Sequence, residues 1–251
     1  MREVMVRDIC IGRGAPKLCV PIVGRTGGEV LEQAAKVTTL PLDVVEWRAD
    51  WLDQNEDAMA VLSALRVAVG NHPLLVTFRT AAEGGQRQPT AQEYLAFCRD
   101  AAASGCADLL DVELFCQDDM AEEVLEAVHR TGVPVVMSSH DFEKTPGRKE
   151  MFARLQRMEE MGADIAKLAV MPKKRKDVLR LLDVTLKAQE ELECPIITMA
   201  MGPMGVVSRV TGECFGSALT YGAGEQSSAP GQMPATQLRD VLDAIHDSME
   251  V

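Results

Sequence analysis

Short apolar runs rich in branched side chains recur along this chain with amphipathic stretches between them, and that alternation constrains its fold more than any other feature. The runs are Leu18–Val23, Val44–Arg48, Leu74–Thr80, Leu109–Glu113, Pro134–Ser139, Ile165–Val170, Ile196–Met201 and Ala218–Tyr221. Apolar segments of this length, most preceded by Gly, Pro or Asp, predict strands, and helical periodicity between them predicts crossovers, so the sheet should be parallel. Eight strand-helix units in 251 residues leave about 30 residues for each, which matches one closed (β/α)8 TIM barrel, α/β in class, over 1–251. An open doubly wound sheet is the alternative. Asn55 is expected to cap a helix through about Val69 and Thr90 one through Ser104, while Thr236–Met249 reads as a final amphipathic helix. Residues 1–15, with Gly12-Arg13-Gly14, predict an extension or hairpin across the barrel floor.

Charge and cysteine usage narrow the function classes. A net charge of -12 repels nucleic acid and anionic membranes, so neither is an expected partner, and a small anion would need a local arginine cluster. The seven cysteines are scattered, odd in number and never spaced C-x-x-C, which argues against a disulfide framework or a zinc site and for a reducing cytoplasm. Met1-Arg2-Glu3-Val4 lacks a hydrophobic signal core, and no apolar stretch approaches the roughly 20 residues that span a bilayer.

One strand carries an anomaly. In Ile165-Ala166-Lys167-Leu168-Ala169-Val170, alternation puts Lys167 on the same face as Ile165 and Ala169, pointing its amine inward. Desolvation disfavours a protonated amine, and a neutral buried amine is a nucleophile for a ketone or aldehyde; the plain alternative is a packed stem whose head reaches solvent. The other strand ends supply company, because a barrel gathers the C-terminal ends of its strands at one mouth. Glu46, Arg48 and Asp50 share one face, Arg79 and Glu83 precede Gly84-Gly85, and His140 follows the fifth run. Arg209 lies beyond the seventh run and Ser228 and Gln232 beyond the eighth. Each alone suits a solvated charge or a structural histidine, but an inward lysine, a proton shuttle and several arginines on one rim describe carbonyl chemistry on a small carboxylated molecule.

Other motifs fall away. Pro172-Lys173-Lys174-Arg175-Lys176 suits a solvated helix start, and Gly24-Arg25-Thr26-Gly27-Gly28 fits neither phosphate-binding glycine pattern, so no nucleotide cofactor is indicated. Ser139-His140-Asp141 are adjacent in the chain and poorly placed for a hydrolase relay; His72, His129 and His246 show no metal spacing.

Taken in order, Pro16-Lys17-Leu18-Cys19-Val20, Glu46-x-Arg48, Phe78-Arg79-Thr80-x-x-Glu83-Gly84-Gly85, Ser138-Ser139-His140-Asp141-Phe142, Ala166-Lys167, Met199-x-Met201-Gly202, Gly205-x-x-Ser208-Arg209 and Ser228-Ala229-Pro230-Gly231-Gln232 resemble the type I 3-dehydroquinate dehydratases over nearly the whole chain. The resemblance implies a barrel, usually a homodimer, that dehydrates 3-dehydroquinate to 3-dehydroshikimate in the shikimate pathway through a lysine Schiff base, with no metal and no organic cofactor. It implies Lys167 as the attacking amine, His140 as general base and acid, and Glu83 as the group orienting His140. Arg209 is then expected to hold the substrate carboxylate, with Glu46, Arg48, Arg79, Ser228 and Gln232 on the hydroxyls or carboxylate, and Met199 and Met201 as the apolar wall. The loop bearing Ser228 and Gln232 reads as a lid. Pro21 stands where some members carry serine, so no substrate contact is expected there. A class I aldolase shares the lysine but generally needs a phosphate site, for which Ser228–Gln232 is a poor cradle. A catalytically silent metabolite-binding barrel is the remaining alternative.

Overall fold

A hairpin opens the chain, pairing β1 (Val4–Val6) antiparallel with β2 (Ile9–Ile11). The computed structural model describes residues 2–116, 119–226 and 228–249. Eight parallel strands follow: β3 (Lys17–Ile22), β4 (Val44–Arg48), β5 (Leu74–Thr77), β6 (Leu109–Glu113), β7 (Val135–Asp141), β8 (Ile165–Val170), β9 (Ile196–Ala200) and β10 (Leu219–Tyr221). Each from β3 to β8 pairs with the next in sequence, and β10 pairs with β3. The ring closes between β9 and β10 by the Ile196–Ser217 bridge and a hydrogen bond from the Ala218 N–H to the Ile196 carbonyl. This is the TIM barrel expected from the alternation, and not the open sheet.

The main crossovers are α1 (Gly27–Val37), α2 (Ala58–Ala68), α3 (Ala91–Ala103), α4 (Ala121–His129), α5 (Arg148–Glu160) and α6 (Arg175–Glu191). Two short helices, α7 (Val206–Val210) and α8 (Gly212–Phe215), lead into β10, and α9 (Ala235–Met249) closes the ring. Thr90 caps α3 with a full capping box, its hydroxyl accepting from the Glu93 N–H while Glu93 accepts from the Thr90 N–H. For α2 the cap differs from the expectation: Asp57, not Asn55, accepts from the Met59 and Ala60 N–H groups. A single Asp57 carboxylate oxygen, Oδ1, takes both N–H groups and complements the helix N-terminus, and Asn55 lies two residues too far back. No helix among the described residues is long and apolar enough to cross a membrane.

Two apolar clusters separate the barrel's faces. The larger joins outward strand residues such as Val45, Trp47, Leu110 and Leu168 to the helices. The smaller fills the bore with Val44, Leu109, Ile165 and Leu219, and Val4, Val6 and Ile11 of the hairpin join it from below. Those four bore residues come from the alternate strands β4, β6, β8 and β10 and form one side-chain layer of the barrel interior. Two residues on, the same alternation brings Glu46, Asp111, Lys167 and Tyr221 inward as the next layer.

Candidate active site

Lys167 Nζ sits inside that second layer, 3% exposed as a residue. It donates to Asp111 Oδ2 at 3.1 Å, lies 3.9 Å from Glu46 Oε1 and stands 4.7 Å from the centre of the Tyr221 ring. Enclosure of the amine is as the alternation predicts, but its surroundings are not apolar: two carboxylates face it. Neither Asp111 nor Glu113 was singled out by the sequence reasoning. The signal was present in Leu109-Leu110-Asp111-Val112-Glu113, where acids occupy every second place of an apolar strand just as Lys167 does in its own.

Arg79 organises these acids. Its Nη2 donates to Asp111 Oδ1 at 2.7 Å; its Nη1 reaches Glu113 Oε1 and Ser138 Oγ, both at 2.9 Å, and Glu83 Oε2 at 3.4 Å. Burial alone would raise Asp111, yet Arg79 and Lys167 reverse the effect and hold it down at about 2. Ser138 Oγ adds a 2.6 Å hydrogen bond to Asp111 Oδ1. Glu113 in turn accepts from the Thr80 N–H and hydroxyl, which anchors the short turn carrying Glu83. That turn needs a glycine behind it, since a Cβ on Gly85 would lie 1.8 Å from the Arg79 carbonyl oxygen.

His140 belongs to β7 itself, not to the loop after it, because β7 runs on through Asp141. Its register partner on β8 is Ala169, two residues past Lys167, so imidazole and amine address one space. Glu83 Oε2 accepts from the His140 backbone N–H at 3.0 Å and lies 2.8 Å from Nδ1. An oxygen already accepting from that N–H and from Arg79 takes a proton from Nδ1 as well, which leaves the Nε2 lone pair for a substrate. Burial, then the positive field of Arg79 and Lys167, pushes His140 well below the usual imidazole range. Burial and Glu113 push Glu83 well above the usual carboxylate range.

Arg48 forks onto Asp50, Nε to Oδ1 at 2.7 Å and Nη2 to Oδ2 at 2.8 Å. Asp50 lies in the turn past β4, so it braces Arg48 and the Gln86 N–H and does not line the cavity as a third free charge. Arg209, on α7, is the contrasting cation: 1% exposed, with no carboxylate partner among the described residues. Its Nη2 donates to the Pro230 carbonyl at 3.2 Å, its Nη1 lies 3.7 Å from Met199 Sδ, and its Nε has no partner. Desolvation pushes it down to about 10, still charged at neutral pH. Thus a buried cation without a counter-ion faces the cavity.

The loop after β10 covers this opening. Pro230 O also accepts from the Gly202 N–H at 3.0 Å, and Ser228 and Gln232 bind each other, Ser228 N–H to Gln232 Oε1 at 2.9 Å and Gln232 Nε2 to Ser228 Oγ at 3.1 Å. Gly231 has φ +80° and its Cβ position lies 2.4 Å from the Gly202 carbonyl oxygen, so only glycine allows the loop to seat there.

One cavity is lined by Lys167, His140, Glu83, Glu46, Arg48, Arg79, Arg209, Ser228, Gln232, Met199 and Met201, which are all the residues expected from the sequence. Thr77, Gly84, Phe142, Ala169, Tyr221 and Ala229 complete it. No cluster of three or more His, Cys, Asp or Glu among the described residues has metal-binding geometry. A buried amine, a base held in one tautomer and an uncompensated guanidinium are together equipped for covalent chemistry on a carboxylated ketone.

Comparison with known proteins agrees with that chemistry. A family model described as Type I 3-dehydroquinase matches residues 18–249. A 3-dehydroquinate dehydratase of Listeria welshimeri is 47% identical over 249 residues, covering 98% of this chain and 99% of its own. The crystal structure of a type I 3-dehydroquinate dehydratase from Clostridium difficile, with covalently modified comenic acid, superposes with a TM-score of 0.94 at 43% identity, covering 98% and 99% of the two chains. A second, from Geobacillus kaustophilus, gives 0.94 at 40% identity, covering 98% and 97%. The chain belongs to the type I 3-dehydroquinase family.

Proposed function

We propose that this chain is a hydro-lyase of the shikimate pathway that converts 3-dehydroquinate to 3-dehydroshikimate through a Schiff base on Lys167. The carrying observation is the enclosure of Lys167 Nζ in the same cavity as a His140 ring whose Nδ1 is committed to Glu83. The amine attacks the ring ketone carbon; an N–C bond forms, the ketone oxygen leaves as water, and an iminium cation results. Its positive nitrogen acidifies the adjacent C–H. His140 Nε2 takes that proton to give an enamine, then returns it to the β-hydroxyl as the C–O bond breaks and a second water departs. Hydrolysis of the conjugated iminium frees the product and the amine.

Arg209 offers the substrate carboxylate a bidentate partner that no anion among the described residues competes for. Glu46 and Arg48, the latter braced by Asp50, face the ring hydroxyls. Arg79 contributes mainly its charge, since both terminal nitrogens are committed to protein acceptors. Met199 and Met201 give the ring an apolar wall, and the Ser228–Gln232 loop excludes water from the imine. Borohydride added with 3-dehydroquinate is expected to fix a reduced adduct on the Lys167 peptide by mass spectrometry; an unmodified peptide overturns the covalent route.

A homodimer in a reducing cytoplasm fits the same reading. All seven thiols are free, and Leu179 on α6 with Met204 and Val207 beside it, 65%, 43% and 44% exposed, forms an apolar face suited to a second copy. Light scattering after size exclusion gives the mass, with a dimer expected.

A further inference from the structure

Three inward side chains from alternate strands, Glu46, Asp111 and Tyr221, meet around Lys167 Nζ, and they are not equivalent. Glu46 stands 3.9 Å from Lys167 Nζ and is bound through Oε1 to the Thr77 hydroxyl at 2.9 Å. Asp111 is nearer, at 3.1 Å, and more rigidly aimed: Oδ1 is held by Arg79 Nη2 and Ser138 Oγ, which leaves Oδ2 for the amine. It is 1% exposed and does not line the cavity, so it reaches the reacting nitrogen from behind and not the substrate ring.

We propose that Asp111 is the fixed counter-ion of the Schiff-base nitrogen, holding Lys167 Nζ in position and compensating the iminium cation through the reaction. This rests on the Schiff-base reading above and adds to it a residue for which no substrate contact is invoked. When amine and ketone combine and water departs, one positive charge stays on nitrogen; Asp111 takes no proton and forms no bond, and its charge remains opposite that nitrogen. The grip of Arg79 and Ser138 suits it to this duty, because a carboxylate held down at about 2 by Arg79, Lys167 and Ser138 is a poor proton acceptor at neutral pH. Proton transfer is thereby left to His140.

The other groups facing Nζ set what a change at Asp111 does. Glu46 of β4 supplies the second carboxylate, Tyr221 of β10 its ring, and Arg79 after β5 and His140 of β7 lie on the positive and neutral sides. In Asp111→Asn, Glu46 alone compensates the cation. An iminium with weaker compensation loses its proton at lower pH, and a neutral imine is reduced slowly by borohydride.

The test traps Lys167 with 3-dehydroquinate and borohydride across pH 5–9 in the unaltered chain, Asp111→Asn and Ser138→Ala. For Asp111→Asn, the adduct at pH 8 is expected to fall at least tenfold, the upper limb of the trapping profile to move to lower pH by one unit or more, and kcat to fall with KM within threefold. Ser138→Ala, which removes one of the two groups aiming Asp111 and keeps its charge, is expected to fall between the two and to decide the matter if the Asn variant does not fold. A folded Asn variant, or a Ser138→Ala variant when that one does not fold, with the unaltered chain's profile overturns the role of Asp111. A lower adduct with no movement along pH overturns it too, because loss of packing alone has that signature. Absence of adduct in the unaltered chain overturns the Schiff-base reading itself, which separates the two failures.

Discussion

Glu83 Oε2 lies 2.8 Å from His140 Nδ1 and 3.0 Å from the backbone N–H of the same residue, so a single oxygen sets both the ring's tilt and its tautomer. Burial and the positive field of Arg79 and Lys167 hold His140 well below 6.5. Activity should therefore persist as pH falls through 6.5, and kcat/KM should decline only at the depressed value, where Nε2 is finally protonated. A pH-rate profile breaking at or above 6.5 would count against His140 as the base. Stability follows the same sign: the unfolded chain takes up a proton near 6.5 while the folded ring does not, so stability contributed at neutral pH declines below 6.5.

Lys167→Met keeps the stem's bulk and removes only the ammonium. Asp111 keeps Arg79 and Ser138 as partners, so the barrel should still form. Turnover, followed by the product's enone absorbance, is expected to drop by at least about a thousandfold, as befits loss of a covalent nucleophile. Near-normal turnover in a well-folded Met variant would falsify the imine route.

Arg209 is a buried cation with no counter-ion among the described residues, an arrangement that costs the empty protein stability. In Arg209→Met, Tm without ligand should hold or rise while KM rises by about a hundredfold, the loss expected of one charged bidentate contact. A lowered Tm with KM unchanged would place Arg209 in the scaffold and not at the substrate.

Asp111, at about 2, is fully ionised where an unfolded aspartate near 3.8 begins to protonate. Its depressed value contributes stability above pH 4 that is lost as pH falls from about 4 toward 2. The difference corresponds to about 2 kcal/mol. Urea unfolding of the unaltered chain and Asp111→Asn at pH 5 and pH 3 should show that part of the pH dependence missing in the Asn variant.

Gly231→Ala places a Cβ against the Gly202 carbonyl at φ +80°, and the backbone of the covering loop must shift to accept it. We expect kcat/KM to fall roughly ten- to a hundredfold with Tm changed by less than about 2 °C, because the loop lies outside the core clusters. A stopped-flow measurement of turnover beside a thermal melt separates these effects.

The barrel was legible in the alternation of strand and helix patterns, and Lys167 in a lysine placed mid-strand on an inward parity. Both depend on periods of about two and 3.6 residues, which a chain carries locally. Lys167, His140 and Arg209 could likewise be placed at one mouth, because parallel strands of a barrel end on the same side.

Which partner each charge chooses is another matter, decided by register and closure between strands far apart in sequence. Arg79 reads as a substrate arginine until β6 and β7 bring Asp111, Glu113 and Ser138 to its two terminal nitrogens. Asp111 and Lys167 are 56 positions apart and meet only because β6 and β8 contribute to one interior layer. Arg209, unlike Arg48, has no acid folded beside it among the described residues. Local periodicity determines which way a side chain points; only the closed ring determines what it finds there, because opposing charges in the bore are positioned by the stagger of all eight strands together.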